Sequence, residues 1–235
     1  MATTPEARWH LQKWYADCVT PTGGLFVGYL AEVRCGPLRV RYAASLVRDA
    51  AGAPVRQRQT LRAGRVDVVP GRVGLAVPAL GLLGTWRGGS GTDPVTVVRT
   101  ERGEVTWECL ALDADATVRV RGREFAGPGY AEVVRLTLAP WELGFADLRW
   151  GRFIADDRSD AMTWIATGSG VTFVGAWTPR VRFRQEAEVG EGSVLVTGGP
   201  ELTWGAGAPI RRATVTRSLL GRLAPLGRLL PRGVR

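Results

Sequence analysis

The sequence predicts an all-β fold, an antiparallel barrel or sandwich made of many short strands. Three observations support this class. Apolar and polar residues alternate in segments such as "VTVVRT" and "TVRVRG", Gly, Pro or Asp separates most of the segments, and little helical periodicity lies between them. Closely spaced strands without intervening helices favour antiparallel pairing over alternating β and α units.

The predicted strands follow one another along most of the chain. In order they are "GLFVGYLAEV", "LRVRYAASLV", "VTVVRT", "EVTWECLAL", "ATVRVRG", "GYAEVVRLTL", "GRFIA", "AMTWIAT", "VTFVGAW", "RVRFRQEAEV" and "GSVLVTG". Near the end, residues 218–230 place four leucines at helical spacing with arginines between them, which predicts a short C-terminal helix. We interpret this helix as a cover over the open end of a barrel. Because it is basic and amphipathic, peripheral contact with a membrane is the alternative.

Composition indicates a globular protein of a reducing compartment. The chain has 235 residues and three widely spaced cysteines, so neither a disulfide framework nor a structural zinc site is indicated. Its N-terminus carries charges and aromatic residues where a signal peptide needs an apolar stretch. The most apolar segment, residues 74–86, is too short to span a bilayer. We therefore expect a cytoplasmic location.

The net charge of +9 raises the possibility of a nucleic-acid partner. However, the arginines are spread along the chain and alternate with valine in strand-like segments, and Lys13 is the only lysine. This pattern is typical of solvated sheet faces, and no nucleic-acid motif accompanies it. No nucleic-acid partner is predicted.

Several catalytic chemistries are excluded by missing residues. His10 is the only histidine, so a multi-histidine metal site is impossible, and a histidine-based triad would depend on one residue near a terminus. Neither a phosphate-binding GxxxxGK[ST] motif nor a GxGxxG motif after a strand is present. The acids of "DDRSD", residues 156–160, lie between two predicted strands and are interpreted as a hairpin turn rather than a magnesium site. No metal and no cofactor are predicted.

The leading candidate for a functional residue is Glu132. In "GYAEVVRLTL" it shares one side of the strand with Tyr130, Val134 and Leu136, a row that should be apolar. A carboxyl group in such a row must find a cation, take up a proton, or face a cavity. Two interpretations stay open: a structural salt bridge with an arginine, or a neutral general acid in an apolar pocket.

Two further acids and a set of aromatic residues complete the candidate site. Asp17 shares a strand face with Tyr15, and Glu32 shares a row with Phe26 and Leu30. Together with Glu132, both acids are candidate catalytic residues. Large inward-facing rings usually pack a core, but collectively they can line a pocket for a hydrophobic ligand. The candidate substrate-binding residues are Tyr15, Tyr29, Tyr42, Trp107, Tyr130 and Trp164.

Two long segments carry a family resemblance. "KWYADCVTPTGGLFVGYLAEVRCGPLRVRYAASL" and "GYAEVVRLTLAPWELGFADLRWGRFIADD" resemble the lipocalin-like proteins related to carotenoid 1,2-hydratase, tocopherol cyclase-like proteins and the two-domain Diels–Alder cyclases. The resemblance is carried by sets of positions that are moderately specific together. They are Trp14-Tyr15-Asp17, Gly28-Tyr29, Gly36-Pro37-Leu38, Gly129-Tyr130-Glu132, Pro140-Trp141 and Trp150-Gly151-Arg152-Phe153.

The resemblance implies two tandem lipocalin-like β domains, which we place at residues 1–122 and 123–235. A faint repeat of "GYLAE" and "GYAE" agrees with this division. The resemblance also implies a cofactor-independent enzyme of specialised metabolism that cyclises or hydrates a hydrophobic polyene. A non-catalytic carrier of a lipid or polyene is the alternative function.

Overall fold

The computed structural model of the chain describes residues 9–50, 53–139, 142, 148–155, 158, 161–167, 170–175, 192–197 and 211–215. These residues form strands in two sheets and a 3-10 turn at Pro78–Leu80, so the prediction of an all-β fold is confirmed. The strands of the larger sheet, here the first sheet, pair antiparallel throughout.

The first sheet contains the first ten strands of the chain. Hydrogen bonds join them in the order β4-β3-β2-β1-β10-β9-β7-β6-β5, and β8 also pairs with β9. Strand β1 therefore lies near the centre, between its sequence neighbour β2 and the distant β10. The strands are β1 (Trp9–Val19), β2 (Leu25–Cys35), β3 (Leu38–Arg48), β4 (Arg56–Thr60), β5 (Arg65–Val69), β6 (Arg72–Val77), β7 (Leu82–Arg87), β8 (Val95–Thr100), β9 (Gly103–Val120) and β10 (Arg123–Leu136).

The central strands of this sheet are buried on both faces. Successive side chains of a strand point to opposite faces, so β1 contributes Ala16 and Cys18 to one core and Tyr15 to another. The first core lies on one face of the sheet, around Phe26 and Trp86. The second core covers the other face and includes Ile154 of the second sheet. Members of the second core are Tyr15, Val19, Leu25, Val27, Tyr29, Ala44, Leu46, Trp107, Cys109, Leu112, Tyr130, Ile154 and Ala161.

The second sheet follows along the chain. Its order is β13-β12-β11-β14-β15, with antiparallel pairs except for the parallel pair of β14 and β15. Strands β11 and β12 pair antiparallel from Ile154 and Ala161 outwards, so residues 156–160 connect two antiparallel strands, as the hairpin interpretation of "DDRSD" requires. The strands are β11 (Leu148–Ala155), β12 (Ala161–Thr167), β13 (Gly170–Gly175), β14 (Gly192–Thr197) and β15 (Arg211–Val215).

The boundary between the two sheets lies further along the chain than residue 122. Strand β10 is hydrogen-bonded between β1 and β9, and the second sheet begins at β11. The division into domains at residues 122 and 123 stays a prediction, and the boundary between sheets falls after Leu136. The predicted C-terminal helix at 218–230 lies outside the described residues. Within those residues, no helix has the length and apolar character needed to cross a membrane. Cys18, Cys35 and Cys109 are free thiols.

Candidate active site

Two matching tripeptides meet at the centre of the first sheet. Tyr15-Ala16-Asp17 lies in β1 and Tyr130-Ala131-Glu132 in β10, and the antiparallel register places Tyr15 opposite Glu132 and Asp17 opposite Tyr130. Each tyrosine donates its hydroxyl hydrogen to the acid two residues further along its own strand. The distances are 3.0 Å from Tyr15 to Asp17 Oδ2 and 2.6 Å from Tyr130 to Glu132 Oε2. The two tripeptides thus bring two buried carboxyl groups together.

Glu132 is held by neutral donors in a buried environment. Its Oε2 atom accepts hydrogen bonds from the Tyr130 hydroxyl and, at 2.5 Å, from the Trp107 indole N–H. Thr163 of β12 donates to the Tyr130 hydroxyl at 3.1 Å, so the chain of donors extends into the second sheet. Burial raises the pKa of Glu132, and the two hydrogen bonds oppose that rise without cancelling it. The acid therefore binds its proton more tightly than an exposed glutamate does.

The ladder between β9 and β10 is irregular at this point. Gly129 lies opposite Ala114, Ala131 opposite Ala111 and Glu132 opposite Cys109, so β9 contains an extra residue at each of two successive steps. Such bulges re-aim side chains and occur often beside functional sites. Gly129 allows the backbones of β1 and β10 to lie close together, because a β-carbon at this position would lie 2.6 Å from the carbonyl oxygen of Asp17 on β1.

Asp17 has a different kind of partner, the Arg152 guanidinium of β11. Arg152 Nη2 lies 2.6 Å from Asp17 Oδ1, and Nε lies 3.2 Å from both carboxylate oxygens. Both side chains are almost completely buried. Burial lowers the pKa of Arg152, but the charge and hydrogen bonds of Asp17 outweigh it and leave the pKa raised. Burial raises the pKa of Asp17, and the charge and hydrogen bonds of Arg152 oppose that rise. Because a guanidinium stays charged, its neighbour Asp17 serves as its counter-ion. This ion pair joins the two sheets.

The row of β1 becomes more exposed towards Lys13. Asp17 and Tyr15 are buried, whereas Lys13 is half-buried. Its Nζ atom lies 4.6 Å from the centre of the Tyr29 ring, and Tyr29 in turn contacts Tyr15 edge-on at 5.3 Å between ring centres. Burial lowers the pKa of Lys13 to about 8, and the charge of Glu132 acts in the opposite direction. Lys13 thus lies at the more exposed end of the cluster.

Six of the predicted site residues lie together in this cluster. They are Asp17, Glu132, Tyr15, Tyr29, Trp107 and Tyr130. Tyr42 packs at the margin of the second core, and its hydroxyl donates to Gln59 at 3.1 Å. Trp164 belongs to β12 and pairs there with Gly151 and Val174, but its side chain lies outside the described residues.

Glu32 lies apart from the cluster, among arginines at the end of β2. Arg34, Arg39 and Arg41 all contact its carboxylate, at 2.6 to 3.2 Å. The hydrogen bond from Arg39 is the main cause that lowers the pKa of Glu32 to about 2. Its row is apolar only as far as Leu30, because β2 extends beyond the first core. The geometry gives Glu32 a charged, arginine-bound role at the surface, and its assignment as a catalytic residue stays a prediction without geometric support.

The cluster contains three polar residues that were not among the predicted site residues. Arg152 shares a strand face with Ile154, so it is a charged residue in an apolar row. Glu132 is a candidate for the same reason, and this signal could have identified Arg152. Lys13 carries a signal of another kind, as the single lysine beside 30 arginines. Thr163 offers no signal, because a threonine within a strand is ordinary.

No group of three or more histidine, cysteine or acidic residues capable of holding a metal ion occurs within the described part of the chain.

Comparison with known proteins gives structural similarity only. No family model matches the chain, and no curated protein matches it. A crystal structure from Nitrosomonas europaea, provisionally assigned as an AttH protein, is similar with a TM-score of 0.46 and 13% identity over 71% of this chain. Kievitone hydratase from Nectria haematococca is similar with a TM-score of 0.42 and 8% identity over 67% of this chain. The alignments span 63% and 56% of those two proteins, respectively.

The buried state of Glu132 predicts a pH dependence of stability. A raised pKa in the folded state means that the contribution of Glu132 is fully present below its ordinary pKa of 4.5 and is lost as the pH rises through the folded pKa. The free energy of unfolding of the unsubstituted protein, minus that of Glu132→Gln, should therefore fall as the pH rises above 4.5. Its slope should reach at most about 1.4 kcal/mol per pH unit. Urea titrations of both proteins at a series of pH values measure this difference in the free energy of unfolding. A difference that grows with pH would indicate an ionised, cation-bound Glu132.

Proposed function

We propose that the protein is a cofactor-independent enzyme that protonates a hydrophobic, unsaturated small molecule and thereby hydrates or cyclises it. The observation that supports this proposal is the carboxyl group of Glu132. It is buried among aromatic rings, bound by neutral donors and raised in pKa. These are the properties of a carboxylic acid that holds its proton at neutral pH until a substrate accepts it.

The hydrogen bonds define which oxygen donates the proton. Tyr130 and Trp107 both donate to Oε2, so the acidic proton is on Oε1. Transfer of this proton to an alkene carbon forms a C–H bond and leaves a carboxylate, which the same two donors stabilise. The cationic carbon then bonds to water or to a second alkene. Loss of a proton from that product back to Oε1 restores the acid.

The surrounding groups suit a positive intermediate. Tyr15 lies between Tyr29 and Tyr130, with ring centres 5.3 and 6.0 Å away, and ring faces attract cations. Asp17 lies nearby as the counter-ion of Arg152, and this pairing opposes the rise that burial causes in the pKa of Asp17. The two acids thus have separate roles, in which one is a neutral proton donor and the other a fixed counter-ion. The polyene as substrate class, isoprenoid or polyketide, is part of this proposal.

Incubation with polyenes in deuterated water tests the proposal. The purified protein is mixed with a panel of isoprenoid and polyketide polyenes, and the extracted compounds are examined by mass spectrometry. We expect a hydrated or cyclised product that carries one carbon-bound deuterium for each protonation. Recovery of bound polyenes unchanged would indicate a carrier. A cyclised product without deuterium would exclude Glu132 as the proton donor.

A further inference from the structure

The mechanism in which Glu132 donates a proton has no role for Lys13. It is the chain's only lysine, while arginine occurs at 30 positions. An arginine would supply the same positive charge, and the chain uses arginine for its ion pairs, such as those of Glu32, Asp49 and Asp17. The two cations differ in one property that matters here, since only lysine can lose its proton and become a nucleophile. The one residue of the chain with this property, Lys13, lies in the candidate site.

The geometry favours an amine that reacts beside an acid. Lys13 and Tyr15 are on the same face of β1, and their partners across the ladder are Val134 and Glu132 on β10. Lys13 and Glu132 are therefore diagonal neighbours, a spacing that long side chains bridge. The Lys13 Nζ atom lies over the Tyr29 ring, at the half-buried end of the aromatic cluster.

We propose that the Lys13 amine binds a hydrophobic aldehyde or ketone covalently as an iminium, with Glu132 supplying the proton. This inference deepens the proposed function, because it names a carbonyl group as a feature of the substrate. The amine attacks the carbonyl carbon and forms a C–N bond. The carbonyl oxygen then leaves as water, which takes one hydrogen from the amine nitrogen and one from Glu132. The products are an iminium cation and the Glu132 carboxylate, so charge and atoms balance.

The protonation state of Lys13 agrees with this role. With a pKa of about 8, roughly a tenth of the amine is unprotonated at pH 7, about 300 times the fraction for an ordinary lysine. Burial is the cause of this low pKa. Several titratable or charged groups also lie around Lys13 and Glu132. They are Tyr15 and Asp17 from β1, Tyr29 from β2, Cys109 from β9, Tyr130 from β10 and Arg152 from β11.

Reductive trapping with benzaldehyde tests the inference. The full chain is incubated with benzaldehyde and sodium cyanoborohydride at pH 7, and peptide mapping by mass spectrometry locates the benzyl adduct. Lys13 and the amino terminus are the only primary amines, so the terminus is an internal reference. We expect Lys13 to react at least about ten times faster in the folded chain than in urea, where its pKa is ordinary. Equal or slower reaction in the folded chain, with normal labelling of the terminus, would overturn the proposal.

Two variants separate an amine from a merely structural cation. Glu132→Gln removes the acid that supplies the proton, so formation of the Lys13 adduct at pH 7 should slow by at least about tenfold. An unchanged rate of adduct formation would contradict the proposed pairing. Lys13→Arg keeps the charge over Tyr29 and should fold, but it should lose all adduct at this peptide and at least about a hundredfold of turnover. Full turnover by Lys13→Arg would overturn the catalytic part. Adduct formation needs no turnover, so it can succeed or fail independently of the deuterium experiment.

Discussion

Replacing Arg152 by methionine should lower the free energy of unfolding by about 3–5 kcal/mol. The reason is that Asp17 would remain buried without its counter-ion, and a buried unpaired charge is costly to keep. Methionine fills similar space, so the effect reports on the charge rather than on a cavity. Urea unfolding at pH 7, followed by tryptophan fluorescence and by circular dichroism, measures the loss.

A double variant distinguishes the lost charge from lost packing. Asp17→Leu with Arg152→Met removes both charges, and it should recover most of the stability that the single variant loses. Arg123→Met is the matched control, because Arg123 pairs with Asp49 at the surface and should cost less than about 1 kcal/mol. If the Arg152 variant were as mild as this control, the ion pair would not be the link between the two sheets.

Replacing Glu132 by glutamine should reduce turnover by about 10²–10⁴-fold once a substrate is in hand. Glutamine has nearly the same shape and can accept the same hydrogen bonds from Tyr130 and Trp107, so the site should keep its structure. It has no acidic proton, however, and protonation of the substrate would fail. The measurement is kcat with the substrate at saturation, together with binding of the same compound, which should change little.

The control for this loss lies on the same strand. Glu124 is exposed on β10 and pairs with Arg119, so Glu124→Gln is the same chemical change away from the cluster. It should leave turnover within about a factor of two, since surface ion pairs contribute little. Unaltered turnover by Glu132→Gln would remove Glu132 from the mechanism and favour a cyclisation driven by shape alone.

Strand periodicity was sufficient to predict the buried acid but not its partners. Alternation in β10 placed Glu132 in the apolar row, and this prediction needed only local sequence. The prediction assumed one buried face, whereas Ala131 and Val133 on the opposite face are buried as well, because β10 separates two cores. Whether a strand has one buried face or two depends on sheets that assemble from distant segments.

Partner choice is equally non-local. An arginine was one expected partner of Glu132, yet Arg152 binds Asp17, which is 135 residues away in sequence. Sequence alone does not determine whether Asp17 or Glu132 binds Arg152. The choice depends on the register between β1 and β10 and on how β11 packs against them. Glu32 shows a second limit of prediction from strand periodicity. Its row looks like that of Glu132, but the strand continues past the core and the acid meets surface arginines.

The central position of β1 has a consequence for synthesis on the ribosome. This strand can pair with β2 as soon as both emerge, but its other neighbour, β10, is completed only at Leu136, and Arg152 follows later still. At about 5–20 residues per second, Asp17 waits on the order of ten seconds for its counter-ion. During that interval, one edge of β1 and an apolar face stay open to water. The nascent chain is therefore most exposed to wrong pairing at the segment that later carries the candidate site.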